Sequence, residues 1–476
     1  MNVSGTTKIE EFNTDLAVIG GGGSGLAAAI AATEKGASVI VLETRRSTGG
    51  NSALAAGLFT VGKPGQKQEE ISALIDDYFR IAMSYSHWKT NPRLVRALIE
   101  KSVDIVPWLE AQGVKFEWSD EIAFYRVVGE GRGGVHIMRA LANKCQEIGV
   151  QVFCETRAKK LLTAQSGRVI GVLAEGKDGE FTVNAKDVII ASGGFAGNQE
   201  LLKKYFPDYY EEDHVHVGGI PHQGDGLLMA TKIGAATDGL AFLELSGFTF
   251  PESSYLNPVT RNPRTIWVNK KGERFVDESL LFPESANSIY RQPDKRFYSI
   301  FDEEINQFIF EKGLSPMDVL MLPKSTSWKA RAEQDLQVQI EKGKVKISDS
   351  WDEIASWMGV IPETLKTTID EYNAGCERGH DIFLKDKQYL RPLRTPPYHA
   401  YKCITNILVT HGDIKVNHRL QVLDRQDNPI SGLYAVGDDA SIADSDTYNV
   451  KLGGHSFGFA INSGRIAGEN AAKSII

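Results

Sequence analysis

The sequence predicts an α/β chain, a parallel sheet laid between helices and interrupted by a second, α+β domain. Three observations carry this. Residues 15–43 read as strand, glycine turn, helix and second strand ending on an acid. Near the C-terminus, Leu433 to Val436 reads as another buried strand that ends on a turn, Gly437-Asp438. Between them, from about 241 to 408, aromatics, prolines and charged helical stretches replace the glycine-turn pattern. The expected domains are 1–240 and 409–476 for the two parts of the first domain and 241–408 for the insertion. The first part is Rossmann-like in pattern.

In chain order, the apolar run Leu16 to Ile19 is the first strand. Gly20, Gly22 and Gly25 fit G-x-G-x-x-G. The first glycine permits the tight turn, the second lets backbone approach a pyrophosphate, and the third lets helix pack on strand. The alanine-rich helix Leu26 to Lys35 would aim its free N–H groups at phosphate oxygens. Glu43 lies 18 residues past Gly25, where a carboxylate accepts hydrogen bonds from a ribose diol.

Residues 68–112 are helical in pattern, with Pro92 near a start and Gly113 after a stop. A second glycine-rich loop, Gly129 to Gly134, leads into a helix of Val135 to Ile148. Strands are expected at Val150 to Glu155, Ala158 to Ala164, Arg168 to Ala174 and Gly179 to Val183. A buried strand from Lys186 then runs into the turn Ala191-Ser192-Gly193-Gly194. Gly224-Asp225-Gly226 opens a helix that ends near Ala236, and the last helix covers Ser456 to Ala472.

With 476 residues, 42% hydrophobic and 24% charged, the chain has ordinary globular composition and room for two domains. A net charge of −8 disfavours nucleic acid or an anionic membrane as partner. No apolar run reaches spanning length, and the N-terminal residues lack the signal-peptide pattern, so a cytoplasmic protein is expected. Cys145, Cys154, Cys376 and Cys403 are far apart and form no C-x-x-C, which leaves a redox dithiol, iron–sulfur ligands and c-type haem without support. His214 and His216 share a strand face without a third ligand, so no metal is expected.

One glycine motif does not separate NAD from FAD. Gly437-Asp438 resembles the C-terminal motif of FAD proteins, whose acid binds the ribityl chain. After it, Gly454-His455-Ser456-Phe457 opens a helix whose N-terminus would stabilise an anionic reduced flavin. Gly49-Gly50-Asn51-Ser52-Ala53-Leu54-Ala55-Ala56-Gly57 is similar to G-G-N-x-x-x-A-A-G, Gly224-Asp225-Gly226 to G-D-G, and Lys271 to Glu278 to G-x-R-F-x-N-E. On these motifs and Gly464-Arg465-Ile466-Ala467-Gly468, nearly the whole chain resembles the flavoprotein family of soluble fumarate reductases and 3-ketosteroid dehydrogenases.

The resemblance implies noncovalent FAD, since no histidine stands where membrane-complex members attach the cofactor. It adds Gly23, Ser24, Thr44, Ala158, Ala191, Ser192, Gly193 and Asp225 to the expected cofactor contacts. It also implies an inserted capping domain and hydride exchange between flavin and a C=C or CH–CH bond beside a carbonyl or carboxylate.

The family's fumarate site does not carry over. Phe282 stands where an arginine donates the proton, and Ser246 where a histidine meets substrate. Asn257 and Pro258 replace a Thr-Glu pair, although Arg261 matches the arginine that follows. His411 is displaced by two positions from the family's histidine, and Lys451 replaces a carboxylate-clamping arginine. A dicarboxylate clamp depends on bidentate guanidinium groups, and lysine is no equivalent. The tyrosine set of the ketosteroid dehydrogenases has no match either.

The expected function is therefore FAD-dependent ene reduction or dehydrogenation of a substrate other than fumarate. The candidate catalytic residues are Arg261, His411, Tyr448 and Lys451, with Ser246, Phe282 and His455 facing substrate. A 3-ketosteroid-type dehydrogenase or reductase and a noncatalytic electron-transfer module are the alternatives. A small-molecule substrate and a separate electron donor or acceptor are the expected partners.

Overall fold

The computed structural model describes residues 10–119, 124–129, 132–208, 219–250, 253, 255–280, 284–312 and 328–475. His214, His216 and Phe282 lie outside them. Among the described residues no helix is long and apolar enough to cross a membrane. The chain forms two compact units, one of residues 1–207, 219–244 and 409–476, the other of 208–218 and 245–408.

The first eight strands are β1 (Glu10–Ile19), β2 (Val39–Leu42), β3 (Phe116–Ser119), β4 (Phe124–Val127), β5 (Gln151–Phe153), β6 (Arg157–Thr163), β7 (Val169–Gly176) and β8 (Gly179–Ile190). Then come β9 (Phe242–Thr249), β10 (Ile266–Val268), β11 (Arg296–Asp302), β12 (Val345–Ser348) and β13 (Tyr398–His411). β14 (Gln421–Leu423) and β15 (Pro429–Ala435) complete the set.

The large sheet of the first unit has the order β14-β15-β8-β1-β2-β5. Its middle is parallel, with Val18 opposite Val41 on one side and Ile189 on the other, and Tyr434 opposite Ile189. Strands covered on both faces read as unbroken apolar runs, which is why Leu16 to Ile19 and Val39 to Leu42 do not alternate.

Gly179–Val183 and the run from Lys186 are one strand, β8, rather than the two expected from the sequence. Val183 pairs with Phe12 of β1 and with Val172 of β7; both edges still pair at Asn184, and β1 alone carries the strand on through Ala185. β6 and β7 continue from there as an antiparallel meander.

The helix Gly23–Thr33 is buried almost all round. Small residues make this possible, because the last helix, His455–Ile475, lies directly on it. A Cβ on Gly464 would stand 2.1 Å from the Ser24 carbonyl oxygen, and one on Gly468 2.3 Å from that of Ala28. Pro92 opens the helix Pro92–Lys101, and Asn91 caps it by accepting from the N–H groups of Arg93 and Leu94.

The second unit is built on an antiparallel sheet, β10-β11-β13-β12, with β9 also paired to β13. Trp267, Phe297, Phe301 and Tyr401 fill its core. The stretch Lys271 to Glu278 serves this core. Glu278 is fully buried, accepts the Trp267 N–H, and pairs with Arg274 and with Lys385 at 2.8 Å each. Arg274 also pairs with Asp381 at 2.6 Å. Burial opposes the charge on Glu278, yet Lys385 and Arg274 outweigh it and hold the carboxyl below its ordinary range.

Candidate flavin site

The parallel strands of the first unit end together at one rim. β1 runs into Gly20, whose φ is +111° and whose added Cβ would stand 2.1 Å from the Ala191 carbonyl oxygen. Only glycine tolerates both conditions. Gly25 is required for packing, since its Cβ would meet the Gly20 carbonyl oxygen at 2.0 Å. Gly22 is different: a Cβ there meets nothing within 4 Å, because the residue faces open space.

That space is a cavity of about 440 Å³. Gly20, Gly22, Gly23, Ser24, Glu43, Thr44, Gly50, Asn51, Ser52, Ala158, Ala191, Ser192, Gly193, Asp225, Gly437 and Asp438 all line it, as the sequence reading expects of cofactor contacts. The helix Gly23–Thr33 presents its N-terminus here, where Ser52 Oγ accepts the Gly23 N–H at 3.0 Å. Glu43 ends the β2 segment and is buried; its Oε2 accepts the Gly21 N–H at 2.8 Å and its Oε1 the Arg45 N–H at 2.8 Å. Asn51 accepts the Ile220 N–H at 2.6 Å, and its buried Nδ2 has no hydrogen-bond partner among the described residues.

A cavity with this lining fits FAD. It offers a glycine turn and helix N-terminus for a pyrophosphate, the carboxylates of Glu43 and Asp438 for sugar hydroxyls, and the Asn51 amide as a further donor.

Other expected contacts do different work. Asp225 is held by both arms of Arg157, at 2.9 and 2.6 Å. Gly49 donates to Gly21 O at 2.9 Å, tying one glycine segment to the other. Ala55 and Ala56 turn their carbonyls onto Gly134 and Gly133, and Gly57 is buried. Gly454 packs on Leu58 and Phe59, and Phe457 on Gly23.

His455 and Ser456 instead line a smaller cavity, together with His411, Phe242, Ser441 and Asp444. His455 Nδ1 meets Leu452 O at 2.8 Å and its Nε2 meets Asp444 at 2.5 Å. Tyr448 rests its ring 4.4 Å from that of His455 and accepts the Gly454 N–H at 3.1 Å; burial raises its hydroxyl pKa well above the usual value. His411 stacks on Phe242, with ring centroids 4.6 Å apart. Its Nε2 stands 2.7 Å from Glu244 and its Nδ1 3.2 Å from Asp438. Burial disfavours its charge, but Asp438 and Glu244 overcome that and lift it to about 10.

Lys451 is exposed on the turn Val450–Leu452 and lines neither cavity. Arg261 belongs to the second unit, half-buried after the short helix Asn257–Thr260. Ser246 falls on β9, where only its backbone is described.

Several residues escape sequence reasoning. His222 lines the large cavity, its ring within 3.1 Å of where a Gly193 Cβ would be, and burial lowers its pKa. Asp439, beside the expected Asp438, accepts the Gly193 N–H at 2.8 Å and the Ser192 hydroxyl at 3.0 Å, and burial lifts it to about 8. Glu244 and Asp444 complete the two histidine pairs. The one sequence signal for Glu244 is an acid set among the apolar residues of Phe242 to Leu245.

Residues 15–454 match the family described as FAD binding domain. The chain belongs to that family. It is 30% identical to the vinyl phenol reductase of Lactiplantibacillus plantarum over 96% of each chain. It is 28% identical to a probable fumarate reductase of Shewanella frigidimarina, over 97% of this chain and 75% of that one. Among solved structures, the 3-ketosteroid-Δ4-(5α)-dehydrogenase of Rhodococcus jostii shares the fold, with a TM-score of 0.75, 23% identity and 99% of each chain covered. As a member of the FAD binding domain family, the chain is an FAD-dependent oxidoreductase that acts on a C=C or CH–CH bond.

Proposed function

We propose that this flavoenzyme saturates a conjugated C=C bond, or forms one in the reverse direction, in a substrate other than fumarate. The single observation behind this reading is the wall formed by His411 and His455 next to the cofactor cleft. Both rings are engaged by carboxylates, where a dicarboxylate site would offer free guanidinium groups. The similarity to a vinyl phenol reductase supports a substrate with little or no negative charge.

In this reading FAD would be bound noncovalently. Glu43 serves the adenosine ribose, the Gly20 to Gly25 loop the pyrophosphate, and Asp438 the ribityl hydroxyls. Bound FAD supplies hydride exchange at its N5. The chain's part is to hold the alkene, exclude water, and bring a proton to the carbon that does not receive hydride. His411 lines the smaller cavity and Tyr448 packs behind it on His455, while Arg261, Lys451, Ser246 and Phe282 remain candidate contacts from the sequence. Electrons come from a separate donor. Four unpaired cysteines support a reducing, cytoplasmic setting.

The test is a reoxidation screen. FAD-supplemented protein should show flavin absorbance that is released on denaturation. Photoreduced anaerobically, it should be reoxidised faster by enones, enoates or vinyl arenes than by fumarate. Fumarate as the fastest oxidant would refute the proposal.

A further inference from the structure

The His411 cluster restricts what charge the site accepts. An imidazolium normally attracts a substrate carboxylate through a free N–H. Here neither nitrogen of His411 is free, because Glu244 takes Nε2 and Asp438 takes Nδ1. One cation facing two carboxylates leaves the cluster with a net negative charge. His455 is spent in the same way, on Leu452 O and Asp444. No Lys or Arg is among the described residues that line the smaller cavity. Glu244 is 5% exposed and lines neither cavity, so it acts through His411 rather than by touching a ligand. Asp438, in contrast, lines the large cavity and is expected to hold the cofactor.

We propose that Glu244 is a specificity-determining residue: by occupying His411 it turns the site against anionic alkenes and toward neutral ones. This rests on the reading that the alkene is reduced beside His411. Glu244 can be exchanged without removing a cofactor contact, which makes it separable from the machinery that binds FAD.

The probes are cinnamate and cinnamamide, which share one alkene and differ in charge. The photoreduced holoenzyme should turn over the amide with the higher kcat/KM. Glu244→Gln removes one negative charge while its side-chain carbonyl still accepts from His411. The carboxylate-to-amide ratio of kcat/KM should then rise about tenfold or more, the size expected for one charge at short range in a partly buried site. Loss of packing alone would lower both rates and leave the ratio in place. An unchanged ratio in a variant with normal flavin absorbance would overturn the proposal, and so would a wild-type preference for cinnamate.

If the variant does not fold, binding to wild-type oxidised holoenzyme decides, read from the flavin spectrum. Tighter binding of cinnamamide supports the role of Glu244, and equal or tighter binding of cinnamate refutes it. Reoxidation by neither probe counts against the proposed function, while the binding comparison still decides on Glu244.

Discussion

His411 Nε2 stands 2.7 Å from Glu244 Oε2, although the two residues are 167 positions apart in the chain. Glu244 lies early on β9 and His411 ends β13. The chain therefore leaves its first unit and returns to it through two residues that meet as a buried ion pair. With Asp438 on the other nitrogen, the imidazolium is matched on both sides, which is how a buried charge becomes tolerable.

The charge on His411 should show in stability. Its pKa of about 10 stands above the ordinary value of about 6.5. The stabilisation from protonation is thus complete below about pH 6.5 and is lost as pH rises toward 10. His411→Gln should cost about 3–5 kcal/mol at pH 6, since buried Glu244 and half-buried Asp438 lose their partner. The deficit in Tm relative to wild type should narrow steadily from pH 6.5 to 10. A deficit independent of pH would show that the ring is not charged.

Asp439 works in the opposite sense. Burial holds it near 8, so the folded chain keeps it protonated at pH 7 while the unfolded chain ionises it. Wild type consequently loses stability as pH climbs from about 4 to 8. Asp439→Asn stays neutral throughout. Denaturant melts should show the variant gaining on wild type by on the order of 5 kcal/mol across that range. No gain with pH would place the proton elsewhere.

The three glycines of the first turn separate folding from cofactor binding. Gly25→Ala drives a methyl group into the Gly20 carbonyl and should yield little folded protein. Gly22→Ala has room in the protein but projects into the cavity. Its apo Tm should match wild type within a degree or two, with FAD affinity down at least about tenfold by fluorescence titration. Equal FAD affinity in Gly22→Ala would move the pyrophosphate away from this turn.

In the second unit, Lys385→Met strips a fully buried carboxylate, Glu278, of one of its two cations. Removing one partner of a buried pair costs about 3–5 kcal/mol. The denaturation midpoint should fall accordingly at pH 7. Because Lys385 and Arg274 hold Glu278 below its usual range, the penalty should shrink as the medium is acidified through that carboxyl's titration. A variant as stable as wild type would mean that Arg274 alone satisfies Glu278.

The large cavity was the legible part of the site. Gly20, Gly25 and Glu43 sit within one short β-α-β unit, where spacing along the chain already sets spacing in space. Asp438 was legible because its strand and turn repeat a local pattern. The second cavity was not. His411 was visible as a residue, but its partners, Glu244 and Asp438, come from separate stretches of the chain. Lys271 to Glu278 likewise announces a motif without disclosing that Lys385 and Asp381 complete it.

Local chemistry was enough to establish the succession of strand, glycine turn, alanine-rich helix and second strand, and the class of cofactor. These depend on residues a few positions apart, whose geometry the backbone dictates. Which histidine is charged, which acids are spent on it, and whether Lys451 faces the site are decided by the folded chain alone. Those outcomes turn on desolvation and on charges brought close from distant positions, and neither has a value until the chain has closed around them.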